Sequence, residues 1–273
     1  RPLNLLILNL MPTKIVTETQ LLRMLSNTPL QIQVEFLQTA SYRSTHTDAN
    51  HLKQFYHTFD QIKDRRYDGM IITGAPLDYV PCEETLYWDE VCKIMEWTKT
   101  HVHCTFHLCW GAYAGLYYHY GIEKLDMPKK LFGIYSHEIR KETSPLFRGF
   151  NDHFLAPHSR ATDVRLSDVE AIPNLEVMAV TETGSLAIAK TTDSRQFFVT
   201  CHAEYVRETL ALEYERDMKK GLTSVDLPVN YYPDDDPTKI PSMTWRATGQ
   251  LLYSNWLNFY VYQSTPYDLK EIK

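Results

Sequence analysis

The sequence predicts an α/β fold, an open and largely parallel sheet flanked by helices, with further helical structure at its C-terminal end. Two apolar runs, LNLLILN (3–9) and GMIITG (69–74), are too continuous for half-exposed strands and, with QIQVEFL (31–37), read as neighbouring parallel strands. Helical patterns separate these runs, giving β-α-β-α-β. A third observation is a strand running into a helix around HLCWGAYAG (107–115). The chain of 273 residues, 44% hydrophobic and 23% charged, is long enough for one large α/β domain, and no repeat or linker divides it. A single domain over 1–273 is therefore expected.

The elements follow in order. Pro12 and Thr13 open a helix whose Leu21, Leu22 and Leu25 share one face and which ends at Ser26-Asn27-Thr28-Pro29. A second helix is expected over 49–58, another near 88–101, a strand at 102–108, and a helix starting just after Cys109. The middle, 131–200, holds short extended pieces: LFGIY, HFLAP, LEVMAVT, SLAIAK and QFFVT. A helix over 205–219 stops at Gly221, with Lys219 and Lys220 in its last turn. The Pro-rich segment 222–241 reads as loop, and a last helix over 242–262 carries Trp245, Leu252, Trp256 and Tyr260 as core or dimer interface.

Composition excludes several classes of function. A formal charge of −6 and short basic clusters (63–66, Lys129 and Lys130) give no footprint for nucleic acid. No apolar run approaches the ~20 residues that span a bilayer, and no signal-peptide layout is present, so a soluble protein is expected. The five cysteines form no CxxC, which suggests neither a disulfide framework nor a zinc site and fits a reducing cytoplasm. Asp234-Asp235-Asp236 lacks calcium-loop spacing and reads as a solvated acidic loop; no metal is expected. The Tyr117-Tyr118-His119-Tyr120 cluster reads as helix packing with polar tips at a surface.

The chemistry rests on Cys109. In an open parallel sheet, ligands bind beyond the carboxyl ends of the strands, and a sharp strand-to-helix turn presents one side chain there. A thiolate at a helix N-terminus is stabilised, and backbone N–H groups there can meet a developing oxyanion. The alternative is a buried sulfur, since free cysteine is among the most buried residue types. QFFVTCHAEY (196–205) supplies a base: after an apolar strand, His202 and Glu204 occupy alternate positions and point the same way, so the carboxylate can orient the imidazole.

Taken with NLMPTKIVTETQLLRMLSNTPLQ (9–31), TGAP (73–76), YW (87–88), HLCWGAYAGLYYHYGI (107–122), APHSR (156–160), EYERD (213–217) and SNWLNFYVYQSTPY (254–267), these residues resemble the homoserine O-acyltransferases of the trans-succinylase type. The resemblance covers nearly the whole chain. It implies a flavodoxin-like, class I glutamine amidotransferase-like fold. The chain starts at Arg1, two residues before a strand, so the family's N-terminal arm is expected to be missing from it.

The resemblance implies that Cys109 forms an acyl thioester, His202 is the general base and Glu204 orients it. It places Lys130, Ser159 and Arg216 on substrate-binding positions, and Lys14 on a family lysine near the site. From the residues alone, Arg216 suits an α-carboxylate but could equally pair with Glu213 or Asp217 on the surface, and Lys14 would pass for helix-terminus surface. Backbone N–H groups of Trp110, Gly74 and Ala75 are candidate oxyanion donors. In this family the position after GAP-x selects the acyl group, glycine going with succinyl and glutamate with acetyl. Asp78 matches neither, but its charge would repel a succinyl carboxylate unless it turns outward as an ordinary loop residue.

The implied activity is ping-pong transfer from acetyl-CoA, favoured over succinyl-CoA, to L-homoserine in methionine biosynthesis. No bound cofactor is implied; acyl-CoA is a co-substrate. The expected partners are small-molecule substrates and a second copy of the chain in a homodimer, without nucleic acid or membrane. Relatives commonly carry glycine at Cys201, proline or serine at Ala203, and histidine at Ala161 and Thr248. These departures lie near substrate-binding elements, so L-serine, and with it cysteine biosynthesis, stays beside L-homoserine. Glutamine amidohydrolysis shares the fold and triad, but His107 stands where those domains usually have the first glycine of Gly-x-Cys-x-Gly. A non-catalytic binding relative is disfavoured by the complete Cys109, His202 and Glu204 set.

Overall fold

The computed structural model describes residues 1–41, 47–221 and 226–272. Its strands are β1 (Leu3–Leu8), β2 (Ile32–Leu37), β3 (Tyr56–His57), β4 (Tyr67–Ile72), β5 (Val102–Leu108), β6 (Leu125–Ile139), β7 (His153–Asp163), β8 (Leu175–Thr181), β9 (Leu186–Thr191) and β10 (Gln196–Val199). They form one sheet in the order β3-β2-β1-β4-β5-β10-β9-β8-β6-β7. The helices are α1 (Lys14–Leu25), α2 (Ala49–Phe55), α3 (Phe59–Ile62), α4 (Trp88–His101), α5 (Trp110–Tyr120), α6 (Leu166–Glu170), α7 (Thr209–Lys219) and α8 (Arg246–Asn255). The last continues as π-helical turns over Trp256–Tyr262.

The continuous apolar runs are explained by burial on both faces. Side chains alternate along a strand, so Leu5 and Ile7 of β1 join Leu21 and Leu25 of α1 and Trp256 beyond α8 in one core cluster. Leu6 and Leu8 face the other way, onto Val91, Ile94 and Met95 of α4. At the central strands this register brings the carboxyl ends level: Leu8 pairs with Ile72, Ile72 with His107, and Val199 with Leu108. The loops after β1, β4, β5 and β10 therefore open onto one crevice.

Several expectations are corrected. The sheet is parallel only from β3 to β10; β9, β8, β6 and β7 continue it antiparallel. The reason lies in the connections, because the turns after β8 and β9 are a few residues long and a parallel return needs a crossover of a dozen or more. The second helix ends at Phe55, and Tyr56–His57 pair with β2 instead. Leu22 is 39% exposed, so the apolar stripe of α1 runs through Leu21 and Leu25 without it. The helix expected from 205 begins at Thr209, and the last one begins at Arg246. Of the loop expected over 222–241, residues 222–225 lie outside the described residues; the remainder is tied to the sheet where Val229 exchanges hydrogen bonds with Phe132 and Ile134 of β6.

Candidate active site

Cys109 sits on a strained corner between β5 and α5. Its φ of 51° and ψ of −113° lie where a residue with a side chain is rarely found. Its N–H donates to the Val199 carbonyl at 2.7 Å, and its own carbonyl accepts from Ala112 at 2.9 Å. The tight turn needs Gly111, where a Cβ would stand 2.7 Å from the Ile72 carbonyl oxygen. The turn after β4 lies against Cys109: a Cβ on Gly74 would be 3.2 Å from that of Cys109. The N–H groups of Trp110, Gly74 and Ala75 take no part in the backbone hydrogen bonds of the described turns and loops, so they remain available to an oxyanion.

His202 reaches the same crevice from a turn, not from a strand, because β10 already ends at Val199. Its Nδ1 lies 2.7 Å from Glu204 Oε1. A carboxylate only accepts, so Nδ1 carries the hydrogen and Nε2 is left for the thiol. Burial opposes the imidazolium, but the charges of and hydrogen bonds with Cys109 and Glu204 outweigh it and hold the His202 pKa well above its ordinary value. The Tyr205 ring stacks on the imidazole at 4.2 Å, and its hydroxyl donates to Glu213 at 2.8 Å. Helix α8 closes over this turn, since a Cβ on Gly249 would be 2.4 Å from the Ala203 carbonyl oxygen. Cys201 is wholly buried beneath it, and burial, then the Glu204 charge, push its thiol up to about 12.

Lys130, Ser159 and Arg216 gather on the β6-β7 side. Ser159 pairs with Phe132 across the ladder, and the Lys130 ammonium stands 4.2 Å from the centre of the Phe132 ring. Lys130 Nζ lies 3.3 Å from one carboxylate oxygen of Asp217, and Arg216 Nε lies 2.8 Å from the other. The pairing of Arg216 with Asp217 thus exists, while the half-exposed guanidinium keeps its remaining N–H groups. Lys14 is not surface: buried at the start of α1, it donates to the Asn9 carbonyl at 2.5 Å, and burial pushes its pKa down to about 8 against the Glu18 charge.

Asp78 turns inward. Its Oδ1 accepts from the Ala161 N–H at 3.2 Å and the Thr162 hydroxyl at 3.5 Å. The acidic loop carries an ion pair between Lys239 and an exposed Asp234, at 2.5 Å.

Sequence reasoning missed a buried relay in APHSR. Arg160 Nε donates to His158 Nδ1 at 3.2 Å, the Nε2 atoms of His158 and His137 lie 2.8 Å apart, and His137 Nδ1 donates to the Phe154 carbonyl at 3.2 Å. Arg160 is fully buried and paired with Asp163 at 3.1 Å. Burial, followed by the charges of Arg160, His137 and His202, pushes His158 well below its ordinary pKa, so it stays neutral beside His202. Alternation along 153–163 would place His158 and Arg160 on one face, but only pairing with β6 brings His137 to them. Glu213 was read only as a partner for Arg216; its second oxygen is buried without a hydrogen-bond partner among the described residues.

Comparison with known proteins bears on the fold and the family. A solved glutamine amidotransferase from Thermotoga maritima superposes with a TM-score of 0.60 at 12% identity, covering 94% of this chain and 98% of that one. One from Methylobacillus flagellatus gives 0.56 at 12% identity, covering 94% of each. These likenesses show the class I glutamine amidotransferase-like fold. The homoserine O-acetyltransferase of Agathobacter rectalis is 54% identical over 268 residues, 98% of this chain and 86% of that protein. That of Acetivibrio thermocellus is 53% identical over 273 residues, 100% of this chain and 89% of that protein. The family model described as homoserine O-succinyltransferase matches residues 1–267, and the chain belongs to that family.

Proposed function

We propose that the protein is a cytoplasmic homoserine O-acyltransferase of methionine biosynthesis, working through an acyl-Cys109 intermediate with acetyl-CoA as donor. The observation that carries this is the Cys109, His202 and Glu204 constellation, with the imidazole fixed at 2.7 Å from the carboxylate and its Nε2 left to the thiol. The Cys109 thiolate attacks the thioester carbonyl, an Sγ–acyl bond forms, the bond to the CoA sulfur breaks, and His202 gives its proton to the departing thiolate. His202 Nε2 then takes the proton of the acceptor hydroxyl as its oxygen attacks the acyl group, and Cys109 leaves as thiolate. Near-balanced thioester exchange keeps the intermediate reactive toward an alcohol.

Arg216 supplies a cation for the acceptor carboxylate, and the unpaired oxygen of Glu213 supplies an anion for its ammonium. Ser159 and Lys130 line the same side, and Lys14 stiffens the loop after β1. The inward carboxylate of Asp78 favours acetyl: a succinyl carboxylate beside it would desolvate two like charges together. The relatives named homoserine O-acetyltransferase support the same donor. Serine is the second reading. It rests on Ala161, whose N–H holds Asp78, and Thr248, next to Gly249, the two positions where the family resemblance implies histidine.

The test is CoA release from acetyl-CoA and succinyl-CoA, each with homoserine and with serine, alongside a glutaminase assay. Acetyl-CoA with homoserine should lead. One methylene in the acceptor discriminates by only ~10- to 200-fold, so serine should react more slowly. In Asp78→Gly the donor preference should relax toward succinyl-CoA. Preference for serine would reassign the acceptor, and glutaminase activity alone would refute acyl transfer.

A further inference from the structure

The crevice beside Cys109 must also admit the long arm of the acyl donor, and one cavity is placed for it. It has a volume of about 250 Å³ and is lined by Leu10, Pro76, Leu77, Val80, Thr85 and Tyr87, with Glu84 and the 79% exposed Leu86 at its rim. It lies beyond the carboxyl ends of β1 and β4, one to two strand spacings from Cys109, or roughly 5–10 Å. Two contacts link its walls to the nucleophile. Pro76 and Leu77 continue the turn at Gly74 that abuts Cys109, and Tyr87 meets Trp110 edge-on at 6.1 Å between ring centres.

Besides the Glu84 carboxylate and the Tyr87 hydroxyl, the otherwise apolar lining carries one more polar side chain, Thr85. Thr85 is 7% exposed, and its buried hydroxyl has no hydrogen-bond partner among the described residues. An unmade bond of that kind is costly, and a ligand amide would satisfy it. The loop divides its side chains: Leu77 and Val80 face this cavity, while Asp78 reaches the opposite way to the Ala161 N–H. Other cavities suit the arm less. The one of about 390 Å³ touches Val102 and Gln196, at the far ends of β5 and β10. The one of about 440 Å³ is lined by three carboxylates, Glu83, Glu123 and Asp126, against one ammonium, Lys124, so its net charge would repel an anionic donor.

We propose that this cavity holds the pantetheine arm of acyl-CoA, its apolar wall packing the arm and the Thr85 hydroxyl bonding one of its amides. This rests on the acyl-transfer reading of Cys109. Donor and acceptor then approach Cys109 from opposite sides: the arm from β1 and β4, the amino acid from β6, β7 and α7.

The test compares wild type, Val80→Trp, which fills the cavity, and Thr85→Val, which removes only the hydroxyl. Each is assayed with acetyl-CoA and with S-acetyl-2-mercaptoethanol, an acetyl thioester without the arm. Val80→Trp should raise the KM for acetyl-CoA by about tenfold or more, and Thr85→Val by a few-fold, ~3 to 10 for one hydrogen bond, with the short thioester unaffected. An unchanged KM for acetyl-CoA in both variants, or equal loss with both thioesters, would overturn the proposal. Calorimetry with free CoA separates it from the reading of Cys109, because binding needs no transfer. CoA bound by wild type and weakened in Val80→Trp supports the pocket even if no acyl-Cys109 forms; equal binding to both refutes it.

Discussion

At the elbow, the forces on Cys109 act through the main chain: a left-handed φ, two short backbone hydrogen bonds and a helix pressed against the Ile72 carbonyl. At the base turn, His202 is held by side chains from distant segments. Glu204 fixes its ring, Tyr205 stacks on it, Glu213 of α7 anchors Tyr205, and the Trp245 indole donates to the Tyr205 carbonyl at 2.9 Å. A side chain set by the backbone, as Cys109 is, tolerates little change of residue size nearby. If His202 is the base proposed here, activity should fall in graded steps as its supports are removed one at a time.

The largest graded effect belongs to Glu204→Gln, which keeps the shape and removes the charge. Activity should fall ~10²- to 10⁴-fold. Because the Glu204 charge raises the His202 pKa, its loss should move the His202 titration, followed by NMR, to lower pH. An unmoved titration would mean that the pair does not act as described.

At the elbow, Gly111→Ala should cost stability outright, ~1–3 kcal/mol or more, since the added methyl meets two backbone carbonyls at 2.7 and 2.9 Å. Thermal melting reads this, and a variant as stable as wild type would show that the elbow is looser than its geometry. Gly249→Ala sharpens the contrast. Its methyl would press on the Ala203 carbonyl and displace the base turn, so kcat should fall ~10- to 100-fold with Cys109 still alkylated by iodoacetamide. The smallest loss belongs to Tyr205→Phe, which keeps the stack and loses one hydrogen bond worth ~1 kcal/mol. Its kcat should drop a few-fold, and a loss like that of Glu204→Gln would give Tyr205 a larger role.

The same contrast explains what could be read in advance. The parallel half was legible because continuous apolar runs separated by helical patterns are local signals, and the elbow is written in HLCWGAYAG itself. His202 and Glu204 were legible as a pair, although their shared direction comes from a turn and not from strand alternation. The relay through Arg160, His158 and His137 was not legible, since it depends on β6 pairing with β7. The antiparallel half likewise depends on which extended pieces pair, something short turns permit but do not specify. Asp78 was left between two orientations, and the Ala161 N–H and Thr162 hydroxyl, on a strand 83 and 84 residues away, decide between them.

The central claim is that Cys109 carries the acyl group. Intact-protein mass spectrometry after rapid mixing with acetyl-CoA, in the absence of any amino-acid acceptor, tests it most directly. Wild type should gain one acetyl mass, lost again on adding homoserine, and Cys109→Ala should gain none. No adduct in wild type, or an adduct that persists in Cys109→Ala, would contradict the covalent mechanism.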